Sequence, residues 1–282
     1  MQHVVQAGLF NEFGFKGLLD ALDANDSKYT IVSVREHLQP EVDFDPDEDV
    51  MVWGSMGLAR IATERGWKPG AFQGPEFDMQ QHGVRFGRNF FNHDATYCKF
   101  SEMDFTEPMF VRPVHDTKVF NGGLMTPEDM VPWRDRIVEL AKTGYCSITG
   151  DTPVMFAPPK PIDHEARFFV VDGRVVTGSV YRSFGEVMYA RIDSTNAFFY
   201  PMMQFAQRMA ELGETPISAT YVLDVSITGD ECSVLEVNST ASAGFYKCDM
   251  NSVVRALEGM INSWRQERLA RAEVLPPLDN DF

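Results

Sequence analysis

The sequence predicts an α/β region followed by an α+β region. In the first part, the β-branched and apolar runs at residues 30–34 and 50–53 have the length of buried strands, and the second leads through Gly54-Ser55 into a segment with helical spacing. In the second part, Asp172-Gly173 and Gly229-Asp230 each separate two β-rich segments, the turn chemistry of antiparallel hairpins.

Taken in order, residues 56–65 place Leu58, Ile61 and Ala62 on one helical face before Gly66 and Pro69 stop it. Residues 70–94 are rich in Gly, Phe, Gln and Asn without periodicity, which predicts a loop-rich connection and a boundary near residue 90. A strand is expected at 109–114, a loop holding Gly122-Gly123 at 116–125, and a helix at 127–143 with Glu128 and Asp129 complementing the dipole at its start. Beyond these come strands at 154–156, 166–171 and 174–181, a helix at 196–212, a strand pair at 220–227 and 233–237, and a terminal amphipathic helix at 253–270. The expected division is 1–90, 91–150 and 151–282, and no internal repeat is present.

A chain of 282 residues exceeds one average domain, and its ordinary apolar content, with 22 Phe, excludes disordered and fibrous classes. The formal charge of −16 repels a phosphate backbone and disfavours duplex nucleic acid as a partner. Part of that acid lies in one solvated run, Glu41, Asp43, Asp45, Asp47, Glu48 and Asp49, so a small basic pocket elsewhere is compatible with it. The four cysteines show neither C-x-x-C nor zinc spacing, as expected of reduced thiols in a cytoplasmic protein. There is no basic and then apolar leader, and no apolar run near the roughly 18 residues of a membrane span, so neither secretion nor membrane insertion is expected.

Chemistry-bearing residues fall in three places. Asp224 sits inside Tyr-Val-Leu-Asp-Val, and Glu236 and Asn238, two apart and so on one strand face, follow on the next strand. A hairpin between them brings three oxygen donors together, a set suited to Mg²⁺, although the same residues also fit a solvent-facing strand edge. Arg112 and Lys118 bracket a segment ending in Asn121-Gly122-Gly123, where glycines let backbone N–H groups approach phosphates; an ordinary hairpin turn is the plain alternative. Lys160 follows a proline pair, and Glu165 and Arg167 share one side of a strand, which a surface ion pair would equally explain. No Walker-type, G-x-G-x-x-G or G-x-S-x-G motif is present, and the six histidines form no recognisable base or metal set.

In this order the pieces resemble the ATP-grasp superfamily, in particular compact ATP-grasp proteins common in bacteriophage and bacterial genomes. The resemblance spans residues 110–245, about half of the chain. It is carried by Phe-Val-Arg-Pro with the downstream Lys-Val-Phe-Asn-Gly-Gly, by Glu-Ala-Arg-Phe-Phe-Val-Val-Asp-Gly-Arg, and by Leu-Asp-Val followed by Leu-Glu-Val-Asn. It implies a Rossmann-like α/β domain preceding two α+β subdomains that clasp ATP. It further implies that Arg112 and Lys118 contact phosphates under a loop of Asn121, Gly122 and Gly123, and that Lys160 and Glu165 stand near the nucleotide, with the backbone at 155–157 reading the adenine edge. Arg167 and Arg182 would act on the transferred phosphoryl group or the substrate carboxylate, and Asp224, Glu236 and Asn238 would hold Mg²⁺. Where relatives often have Lys-Pro, this chain has Arg112-Pro113.

The implied activity is an ATP-dependent carboxylate–amine ligation through an acylphosphate, with a small-molecule or peptide carboxylate and an amine acceptor as partners. A phosphotransferase and a non-catalytic ATP-binding interaction module are the alternatives on the same fold. The residues 239–244, small and polar, suit a substrate-facing loop.

Overall fold

The computed structural model describes residues 1–10, 12–35, 38–39, 41–72, 78–115, 119–144, 146–213 and 217–274. Its first sheet has the strand order β3-β2-β1-β4-β5 and is built from β1 (Gln2–Gln6), β2 (Lys28–Val34), β3 (Leu38–Gln39), β4 (Asp49–Trp53) and β5 (Lys68–Gly70). All pairings are parallel except the antiparallel edge β2–β3. Every residue of β4 is buried, as expected of a parallel strand covered on both faces. Alternation sends Val4, Val50 and Val52 to one side, under α2 (Met56–Glu64), and Val5, Met51 and Trp53 to the other, under α1 (Glu12–Ala24) and the terminal helix. Ser55 caps α2 by accepting the Leu58 N–H.

A helix, α3 (Met79–Phe86), occupies part of the span expected to be a loop-rich connection. Its core face is only Met79, His82 and Phe86, set among Gln, Gly and Arg, so the periodicity is too thin to read along the chain. What starts it is Asp78, whose carboxylate accepts the N–H groups of Gln80 and Gln81.

The second sheet, ordered β6-β9-β7-β8, is wholly antiparallel and consists of β6 (Thr96–Lys99), β7 (Met109–Pro113), β8 (Gly123–Met125) and β9 (Pro153–Ala157). The helix α4 (Pro127–Ala141), capped by Thr126, covers it through Met130 against Phe100, Met103, Val111 and Val154. Gly123, expected in a loop, instead opens β8, paired with Val111.

The third sheet, ordered β12-β11-β10-β13-β14, comprises β10 (His164–Val171), β11 (Arg174–Ser183), β12 (Glu186–Ile192), β13 (Thr220–Thr228) and β14 (Glu231–Asn238), all antiparallel. Asp172 and Gly173 both take positive φ at the β10–β11 turn, the geometry that favours Asp-Gly in a two-residue hairpin. β12 is an edge strand with mostly exposed side chains, which leaves little apolar alternation to announce it. Phe168 and Val170 pack under α5 (Tyr200–Ala210) with Met202 and Phe205; Phe169 and Val171 face α6 (Met250–Val274), which also covers the first sheet. No helix among the described residues is long and apolar enough to cross a membrane.

Candidate functional site

A polar row crosses the third sheet. Antiparallel register sets Arg167 on β10 opposite Asp224 on β13, and Asp224 opposite Glu236 on β14. Arg167 donates Nε–H to Asp224 Oδ1 at 2.8 Å and Nη2–H to Oδ2 at 2.7 Å, a two-pronged pair with Asp224 only 1% exposed. Burial disfavours the guanidinium charge, but the Asp224 carboxylate outweighs it and holds the Arg167 pKa above its ordinary value. The cation is also flanked by aromatic rings, with Tyr246 at 5.3 Å and Tyr181 at 5.9 Å, and Tyr246 stacks between Tyr181 and Tyr189.

A second arginine reaches the row from the second sheet. Arg112 on β7 donates to Glu236 Oε2 at 2.7 Å, and Asn238 Nδ2 donates to Oε1 at 2.9 Å. Burial pushes the Glu236 carboxyl up; Arg112 and Asn238 together outweigh it and leave it below the usual glutamate range.

Two adjoining cavities open between the sheets and share Arg112, Gly122 and Glu236 as a common wall. One, of about 250 Å³, is polar and lined by Arg112, His115, Asn121, Arg167, Glu236 and Asn238. The other, of about 490 Å³, has apolar walls from Phe91, Phe110, Leu124, Ile162 and Leu235, with Lys160, Glu165 and Arg182 at its edges. A flat ring beside an anionic chain fits that division of polarity. Gly122 is required by packing, since a Cβ there would stand 2.9 Å from Phe110 Cζ and 3.1 Å from Arg112 Cβ.

The expected residues are therefore distributed as follows. Arg112, Asn121, Gly122, Arg167, Glu236 and Asn238 meet at the polar cavity. Lys160 meets the larger one, where its ammonium donates to Phe91 O at 3.0 Å, pairs with Asp94 and lies 5.4 Å from the Phe91 ring centre. Glu165 accepts from Tyr181 at 2.8 Å and from Arg182 at 3.3 Å. Gly123 lines neither cavity, and Lys118 lies outside the described residues.

Asp224 lines neither cavity and has both oxygens on Arg167, so the expected metal set is not gathered around one point. Glu236 and Asn238, two oxygen-bearing side chains on one strand face at the polar cavity, suit a hard cation. Among the described residues no three His, Cys, Asp or Glu side chains form a metal-holding group. Sequence reading missed Tyr181, Tyr246, Phe91 and His115. Tyr181 neighbours Arg182 on β11, but a single tyrosine in a strand carries no local mark of a cation beneath it.

A family model for an ATP-grasp domain, described as the second family of its clade, matches residues 86–256. A search among curated proteins returns no match. Among solved structures, the chain is similar to a RimK domain protein ATP-grasp from Sphaerobacter thermophilus, with 16% identity, TM-score 0.51, and 86% of this chain and 92% of that one covered. It is similar to D-alanine–D-alanine ligase from Bacillus anthracis complexed with ATP, with 13% identity, TM-score 0.54, and 95% and 99% covered. It is also similar to the D-cycloserine synthetase DcsG, with 11% identity, TM-score 0.56, and 91% and 99% covered. Identities this low speak for the fold alone. The family match extends over more than half of the sequence, and the chain belongs to this ATP-grasp domain family.

Proposed function

We propose that this protein is an ATP-dependent carboxylate–amine ligase, which phosphorylates a carboxylate to an acylphosphate and passes the acyl group to an amine. The observation that carries the reading is the pair of arginines, each held to a carboxylate, at a polar cavity that opens into an apolar one. Triphosphate oxygens compete for both guanidinium groups, so nucleotide binding is an exchange of partners rather than the burial of new charge.

In this reading Arg112, Asn121, Gly122 and Gly123 bind phosphates together with Lys118, and Lys160 and Glu165 stand at the nucleoside end. Arg167 and Arg182 hold the transferred phosphoryl group or the carboxylate. Glu236 and Asn238 would hold Mg²⁺, and Asp224 joins them once Arg167 is drawn to phosphate. The metal's contribution there is to neutralise phosphate charge. Residues 1–90 form the preceding Rossmann-like domain that helps bind the acceptor, and 91–150 and 151–282 are the two clasping subdomains. The parallel topology of the first sheet supports the former assignment. Candidate substrates are a small-molecule or peptide carboxylate and an amine.

Calorimetric titration of MgATP into the wild type and a Glu236→Gln, Asn238→Ala double variant tests the binding half. Release of ADP on adding pooled amino acids tests the catalytic half. Saturable binding lost in the variant is expected, with ADP release stimulated by the pool. A folded wild type that takes up no nucleotide would sink the proposal.

A further inference from the structure

We infer that His115, oriented by Asp78, is the base that takes a proton from the incoming amine; the inference rests on the ligase reading above. His115 follows β7 and lines the polar cavity. Its Nδ1 lies 2.8 Å from Asp78 Oδ2. That carboxylate is held in place, because its Oδ1 accepts the N–H groups of Gln80 at 2.7 Å and Gln81 at 3.2 Å, and a backbone bridge joins residues 78 and 115. A carboxylate beside Nδ1 draws the proton of the neutral ring to that nitrogen, which leaves the lone pair on Nε2. The His115 side chain is 54% exposed against 15% for Asp78, so the ring is reachable while its orienting partner is sheltered.

The other anionic groups at this cavity are committed elsewhere. Glu236 is held by Arg112 and Asn238, and Asp224 beneath it by Arg167. An amine arrives as an ammonium ion with no lone pair for attack. Nε2 of His115 takes one proton from it, and the freed nitrogen attacks the acyl carbon. The C–N bond forms, the C–O bond to phosphate breaks with its electron pair leaving on phosphate, and the second nitrogen proton goes to that leaving group. The imidazolium then returns its proton to water. Asp78 from the start of α3 and Glu236 from β14 favour the imidazolium, while Arg112 from β7 and Arg167 from β10 oppose it.

The test supplies the intact protein with MgATP and pooled common amino acids, with or without hydroxylamine, an acceptor already unprotonated at neutral pH. Hydroxamate then reports carboxyl activation alone, and amide reports activation plus deprotonation. In His115→Gln, amide formation should fall about 100-fold and hydroxamate formation far less. Asp78→Asn keeps an oxygen to cap α3; it should move the acidic limb of the amide pH profile to lower pH, because the imidazolium loses its carboxylate. Equal loss of both products in His115→Gln, or no loss of amide, overturns the inference and leaves the ligase standing. Neither product from the wild type overturns the ligase reading and the inference with it.

Discussion

Two arginine–carboxylate pairs, each with a 2.7 Å contact, differ in what brings them together. Arg167–Asp224 lies within one sheet, across directly opposed positions of β10 and β13, and is nearly closed to solvent. Arg112–Glu236 joins β7 of the second sheet to β14 of the third and borders both cavities. Strand register produces the first pair as soon as the sheet forms. The second exists only where one sheet lies over the other, so it reports closure of the clasp rather than folding of either half.

The largest expected effect breaks the inner pair. Arg167→Met leaves a carboxylate buried without its partner and should cost about 3–5 kcal/mol in urea unfolding; a cost near zero would show that the two pairs do not differ in kind. Arg112→Met should behave otherwise, losing less than about 1 kcal/mol of stability while weakening MgATP binding about tenfold or more, the equivalent of one charge-assisted hydrogen bond. Calorimetry on the same preparations checks both numbers, and a large stability loss here would merge the two cases.

A pH series sharpens the comparison further. Burial raises the Glu236 carboxyl pKa, but Arg112 and Asn238 win and hold it low. A depressed folded-state pKa gives stability that is complete above the unfolded value and is lost as pH falls through the folded one. The stability difference between wild type and Glu236→Gln should therefore stay level from neutral pH down to the ordinary glutamate range and shrink below it. In an Arg112→Met background the shrinkage should begin at higher pH. The smallest effect calibrates the scale: Lys16→Met removes an exposed one-turn pair with Asp20 on α1 and should change stability by no more than about 0.5 kcal/mol.

Parts of the molecule were open to reading from the chain because their causes are local. Asp172-Gly173 marks a hairpin since its φ values suit those residues wherever they occur. Glu236 and Asn238 share a face because strand side chains repeat every two residues, and both reach the polar cavity as expected. α3 and β12 were not legible: the first shows a thin core face among polar residues, and the second is an edge strand with little to bury.

The sequence by itself determined the order of strands and helices in the second half, the two hairpins, and the residue types available for an anionic ligand. Only the tertiary structure decided their pairing. Arg167 could as well have faced Glu165, two positions away on its own strand; the register of β10 against β13 places Asp224 beneath it instead. His115 had no visible partner among six scattered histidines until α3 brought Asp78 within 2.8 Å. Local periodicity is encoded over a few residues. The partner of a charged side chain depends on which distant strand ends up about 5 Å away, and no short window of sequence contains that.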